Sequence, residues 1–236
     1  MNKRSVILIS GGLDSAVTAF YAKQESSELY GLSFLYGQKH NREIDSAKKI
    51  GIEAKLKDHV FFTLDLNQFG GSSLLKNSKE TIPNNVSVEE IGKEIPSTYV
   101  PARNTIFLSI ALAYAETIDA DFIFIGVTSE DYSGYPDCRP AFIDAFQNLI
   151  NNATKKTILG KNIRLNTPLL KLSKDEIIKK GINLNVPFEK TWSCYQGKDK
   201  ACGICDSCKL RLKGFKNAGL PDPISYITTP EWYDLS

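Results

Sequence analysis

The sequence is poor in histidine, methionine and tryptophan, with two, one and two of them among 236 residues. His40 and His59 are the whole supply of imidazole, so histidine-based acid–base chemistry has only these to draw on. Long hydrophobic runs are also missing. Near the N-terminus only Val6 to Ile9 are continuously apolar, too few for a signal-peptide core. No run approaches the roughly 18 apolar residues that a membrane span requires. Neither sign of charge dominates: 29 basic and 27 acidic residues leave a net charge of +2, too balanced to point to a nucleic-acid or membrane partner. There is no internal repeat and no low-complexity segment. These absences predict a cytoplasmic protein, whose five cysteines are expected to be reduced.

What is present is ordinary for a soluble globular protein: 42% hydrophobic and 24% charged residues. The length suits one α/β domain with a small appendage, or at most two domains, and allows a core that needs no disulfides. "SVILI" (5–9) reads as a buried parallel strand, and further strands are predicted over 28–36, 59–66 and 122–127. Helical spacing predicts helices over 15–24, 42–52, 104–118 and 140–154. Strands alternating with helices call for a parallel sheet covered on both faces. Residues 67–97 form a long polar connection of the kind used for lids and binding loops. Periodicity weakens over 155–236, and a boundary near Leu170 divides the chain into 1–170 and 171–236.

"SGGLDS" (10–15) stands where the first strand should hand over to a helix, at the edge of a parallel sheet where ligands bind. Glycines let backbone N–H groups approach an anion, the helix adds its positive end, and the Ser10 and Ser15 hydroxyls can donate to phosphate oxygens. Asp14 suits a Mg²⁺ ligand or a cap of the new helix. The plain alternative is a tight turn. Neither G-x-x-x-x-G-K-[ST] nor G-x-G-x-x-G occurs, which excludes the Walker and Rossmann explanations.

Cys194, Cys202, Cys205 and Cys208 form C-x7-C-x2-C-x2-C, which suits a closed tetrahedral Zn²⁺ site. Gly203 would let the chain turn tightly around a metal. The surplus of Lys190, Lys198, Lys200, Lys209, Arg211, Lys213 and Lys216 over Asp199 and Asp206 would favour thiolates. Disulfides, a sulfur-transfer C-x-x-C and an iron–sulfur cluster are the competing readings. Cys138 stands apart in "GYPDCRP", either a small buried residue or a nucleophile in need of a base.

S-G-G-x-D-S resembles the pyrophosphate (PP) loop of the N-type ATP pyrophosphatases, which split ATP between its α and β phosphates. With "YGQKH", "PARN", "SGYPDCR", "TPL" and the four cysteines in order, the sequence resembles the 7-cyano-7-deazaguanine synthase family from about Val6 to Phe215. The resemblance implies a Rossmann-like fold of the adenine nucleotide alpha hydrolase type. To that sheet it adds a small C-terminal zinc-binding subdomain. It implies an ATP-dependent ligase of queuosine biosynthesis that turns 7-carboxy-7-deazaguanine and ammonia into the nitrile, with Mg²⁺-bound ATP as cosubstrate and one structural zinc. A homodimer is a family-level expectation. Free ammonia is the expected nitrogen source, since no glutaminase domain fits in 236 residues.

Transferred to this chain, the loop from Ile9 through Ser10, Gly11, Gly12, Leu13, Asp14, Ser15, Ala16, Val17 and Thr18 to Ala19 would bind ATP. Arg103 and Lys174 would neutralise phosphate charge, with a solvated helix residue the plain alternative for Lys174. Glu130 or Asp131 would read the N–H edge of the base, and Tyr132 or Tyr135 would stack on it. His40 or Glu43 would take the proton that ammonia loses. Two rivals remain: a tRNA sulfur-transfer enzyme, and a nucleotide-binding or zinc-ribbon module without catalysis.

Overall fold

The computed structural model describes residues 2–82, 87, 90–91, 94–128, 134–196 and 199–233. Five strands form one parallel sheet: β1 (Arg4–Leu8), β2 (Glu28–Leu35), β3 (Asp58–Thr63), β4 (Phe122–Phe124) and β5 (Arg164–Asn166). Their order is β3-β2-β1-β4-β5. The chain winds outward from β1 to β3, then crosses back to place β4 on the other side of β1. That reversal opens a crevice between β1 and β4 beyond their carboxyl ends, the usual ligand position in such sheets.

β1 shows why the sheet is buried on both sides. Val6 and Leu8 point into a cluster with Leu32, Phe34, Leu108, Ile123 and Phe146, while Ile7 and Ile9 point into another with Val17, Ile50, Phe124 and Ile177. The first cluster lies under α3 (Arg103–Thr117) and α4 (Pro140–Ala153). The second lies under α1 (Leu13–Glu25), α2 (Arg42–Ala54) and two later helices. A short α5 (Lys155–Ile158) precedes β5, and α6 (Lys174–Asn183) and α7 (Asp206–Ala218) follow it.

The predicted β/α alternation holds, with shorter later strands and slightly longer first and second helices. The third strand stops at Thr63, where the chain turns into a 3-10 segment at Leu66–Gln68, and the fourth stops at Phe124. The weak periodicity of 155–236 hides an edge strand and two packed helices. β5 buries only Leu165 of its three residues, so it carries no alternation to detect. α6 opens on a capping box between Ser173 and Glu176, a local signal that the sequence does contain. Much of its buried face is Ile177, Ile178 and Gly181, packed with Val17 and Phe188.

His59 sits on β3 between Gly31 and Gly51, with its Nε2 2.8 Å from Ser33 Oγ. The Ser33 hydroxyl donates to the Ile9 carbonyl at 2.5 Å, which leaves its oxygen to accept from the imidazole. Burial pushes His59 down from 6.5 to about 4. An unfolded chain therefore binds the extra proton first, so stability is complete above pH 6.5 and falls as pH drops towards 4. After allowance for partial exposure the loss is about 1–2 kcal/mol. Urea unfolding at neutral pH and near pH 5 should reveal it, and His59→Gln should remove that dependence.

Candidate functional site

A cavity of about 300 Å³ opens at the crevice predicted by the strand order. The loop after β1 forms its floor: Ile9, Ser10, Gly12, Leu13, Asp14 and Ser15 line it. Ala16, Val17, Thr18 and Ala19 continue into α1 and are buried outside that lining. The loop is held by its own hydroxyls. Ser10 Oγ donates to Ser15 Oγ at 3.1 Å, Ser15 Oγ to the Gly12 carbonyl at 3.0 Å, and the Gly12 N–H to Ser10 Oγ at 3.2 Å. Gly12 is the N-cap of α1, which puts Asp14 in the first turn rather than at the cap. Gly11 has φ +87°, and a side chain there would collide with the Glu43 carbonyl of α2. The glycine pair thus serves both the backbone turn and the close approach of α2.

Lys174 is buried rather than on a solvated face; it lies outside the cavity lining and meets it through Asp14. Its Nζ meets both Asp14 oxygens, at 3.0 and 2.9 Å. The first turn of α6 fixes it, and its stem crosses Gly214 of α7, where any side chain would displace it. Arg103, the first residue of α3, faces the cavity with its guanidinium 5.9 Å from the Tyr36 ring. Burial opposes its charge, but Tyr36, Tyr135, Cys138 and Asp137 hold it above its ordinary value. Asn104 binds the following loop: its N–H donates to Asp137 Oδ2 at 2.8 Å and its Nδ2 to Cys138 Sγ at 3.1 Å.

His40 and Glu43 both line the cavity, from the turn after β2 and the first turn of α2. Burial pushes the Glu43 carboxyl up to about 7, against the pull of Arg103 and with a further push from Cys194. Tyr135 lines the cavity, with its hydroxyl 3.0 Å from Thr98 Oγ1. Glu130, Asp131 and Tyr132 lie outside the described residues. The connection after β3 reaches the site through Leu74, with Gln38 bridging to Leu75.

Cys194, Cys202, Cys205 and Cys208 are all buried, with sulfurs within 4.8 Å of one another. Backbone N–H groups of Gln196 and Cys202 donate to Cys194 Sγ at 3.4 and 3.3 Å, and that of Cys205 donates to Cys202 Sγ at 3.4 Å. Gly203 turns at φ +80° against the Thr228 carbonyl, leaving no room for a side chain. Four thiolates this close need a cation among them, so the donor set fits a metal ion.

The knuckle is not remote from the loop. Trp192, Ser193, Cys194 and Tyr195 line the same cavity, the Trp192 N–H donates to the Gly11 carbonyl at 2.8 Å, and Arg42 covers the Trp192 ring at 4.1 Å. Burial, with Tyr135 nearby, pushes the Tyr195 phenol well above its usual value, and the two rings bring the knuckle beside the loop after β4. The sequence reading missed Trp192, Ser193 and Tyr195; their only signal is that "TWSCY" surrounds the first metal-type cysteine.

The family model described as queuosine biosynthesis protein QueC matches residues 4–219. The chain is 51% identical over 221 residues to 7-cyano-7-deazaguanine synthase of Trichodesmium erythraeum (strain IMS101), covering 94% of this chain and 99% of that one. It is 52% identical over 230 residues to the enzyme of the same name from Coxiella burnetii (strain RSA 331 / Henzerling II), covering 96% and 99%. Among solved structures, NMN synthetase from Francisella tularensis is similar at a TM-score of 0.49 and 15% identity, over 92% of this chain and 77% of that one.

Proposed function

This chain belongs to the QueC family of queuosine biosynthesis proteins, and from that premise we propose that it converts 7-carboxy-7-deazaguanine, ammonia and ATP into 7-cyano-7-deazaguanine. The observation that carries the reading is the single cavity that joins the SGGLDS loop, Arg103, Tyr135 and the cysteine knuckle. A carboxylate is a poor electrophile because oxide must leave it. Attack of the carboxylate oxygen on the α-phosphorus of ATP expels pyrophosphate and makes AMP the leaving group. Ammonia then displaces AMP and gives the amide. In a second round the amide oxygen attacks the α-phosphorus of another ATP and expels pyrophosphate while the amide nitrogen loses a proton, and elimination of AMP with the second N–H proton leaves the nitrile.

The loop N–H groups hold the departing pyrophosphate, and the Ser10 and Ser15 hydroxyls brace the loop that presents them. Lys174 stands beside that loop, and a phosphate oxygen that takes up its ammonium frees the Asp14 carboxylate for a magnesium ion. Magnesium, when bound, screens phosphate charge there. Arg103 opposes the charge that builds as the P–O bond breaks. Sulfurs within 4.8 Å of one another would suit a single zinc ion held by all four thiolates, which would supply structure and no chemistry.

Glu43 is the stronger candidate to take the proton from ammonia, because its carboxyl is desolvated within the cavity and faces Arg103. Glu43→Gln is expected to lower kcat by about 100-fold, within the usual range for a lost general base, while His40→Gln should have a smaller effect. Initial rates at saturating ammonium test this ranking. The reaction itself is tested by incubating zinc-replete protein with ATP, Mg²⁺, ammonium and 7-carboxy-7-deazaguanine. Mass spectrometry should find the nitrile, with the amide as a transient. A sulfur-transfer role is disfavoured because the four clustered cysteines suit one metal ion, which leaves Cys138 in the cavity lining without a second thiol to work with.

A further inference from the structure

The phosphate loop is not closed by its own residues alone. The segment leading into the cysteine knuckle runs directly over it. The Trp192 N–H holds the Gly11 carbonyl at 2.8 Å. From the point where a Gly12 side chain would begin, the Trp192 carbonyl lies 3.8 Å away and Ser193 Oγ 3.9 Å away. Ser193 lines the cavity, and among the described residues its hydroxyl has no hydrogen-bond partner. Ser10 and Ser15, by contrast, spend their hydroxyls on the loop itself.

We propose that Ser193 is a phosphate-binding residue of the pyrophosphate site, delivered across the loop by the four-cysteine knuckle. The inference rests on reading SGGLDS as a pyrophosphate cradle. The positioning follows from the chain path. Ser193 directly precedes Cys194, and the Trp192 indole N–H donates to the Cys194 carbonyl at 3.1 Å. On the other side, Thr191 Oγ1 accepts from Arg211 of α7 at 2.7 Å. Metal bound by the cysteines would fix this short segment at its C-terminal end, and the Gly11 contact would fix it against the loop. A free hydroxyl held over glycine is the geometry that meets an anion the glycine admits.

The test is calorimetric titration of metal-loaded protein with magnesium pyrophosphate. Ser193→Ala is expected to raise Kd about tenfold, the usual effect of losing a hydrogen bond to a charged group. Ser193→Thr, which keeps the hydroxyl, should stay within about twofold of the unaltered protein. Metal content should be the same in all three. After chelation, in protein whose circular dichroism retains the sheet, the serine and alanine forms should bind equally weakly. A Ser193→Ala protein that binds as the unaltered protein does would overturn the inference and leave the synthase reading intact. If the unaltered protein makes nitrile but binds no pyrophosphate, this inference falls alone. If it does neither, both fall.

Discussion

Gly11→Ala is expected to lower kcat/KM for ATP by about 100- to 1,000-fold, the scale seen when preorganised donors to a transition state are displaced. Two effects combine. The residue has φ +87°, a conformation that an L side chain adopts only under strain. Its new methyl group would also collide with the Glu43 carbonyl and approach the Ala47 nitrogen to 2.6 Å. α2 must move away, carrying Glu43 with it, or the loop must deform and turn its N–H groups from the phosphate. Gly12→Ala is the control. Gly12 has an ordinary φ of −78°, and an added carbon would meet Ser10 Oγ at 3.3 Å and the Trp192 carbonyl at 3.8 Å. Its effect should be about tenfold smaller and fall on ATP and pyrophosphate binding, since the added carbon takes room from the anion under Ser193 but leaves α2 and Glu43 in place. Steady-state kinetics with thermal melts on both variants separate loss of the site from loss of fold.

Asp222→Ala is expected to destabilise the protein by about 3–5 kcal/mol, the cost of stranding a buried charge. Arg211 and Asp222 are both almost fully buried, and they pair through two contacts, of 2.6 and 2.9 Å. Tyr226 also donates to Asp222 at 2.6 Å, and Arg211 donates to Thr191 and to the Phe188 carbonyl. This network ties the tail after α7 to the segment that enters the knuckle. Asp222→Ala should therefore weaken metal retention as well as lower the melting temperature. Replacing both partners by apolar residues, Arg211→Met with Asp222→Leu, should recover much of the stability, because no charge is then left unpaired. Chemical denaturation and metal-content measurements on the single and double variants test both statements.

These two expectations draw on different distances along the chain, and that difference explains what the sequence reveals. "SVILI" followed by "SGGLDS" is local, so the strand, the glycine turn and the helix can be read together. The four cysteines are legible because a metal site needs thiolates at short spacing, whatever surrounds them. Lys174 could be nominated from the family resemblance, but its pairing with Asp14 spans 160 positions and leaves no mark in either segment. Trp192 and Ser193 escaped for the same reason: their function lies in contact with Gly11 and Gly12, which no periodicity records. β5 escaped because three residues at a sheet edge bury only one side chain. Glu130, Asp131 and Tyr132, proposed to meet the base, lie outside the described residues, and Tyr135 is the member of that group with defined contacts.

The central claim is that AMP, not phosphate, carries both oxygens away from the carboxylate. It is tested most directly with 7-carboxy-7-deazaguanine labelled with ¹⁸O at both carboxyl oxygens. Each turnover to nitrile should yield a pair of AMP molecules, each with one labelled oxygen on its phosphorus, and unlabelled pyrophosphate. Label recovered in inorganic phosphate, or in water with unlabelled AMP, would contradict adenylation and the role assigned to the loop.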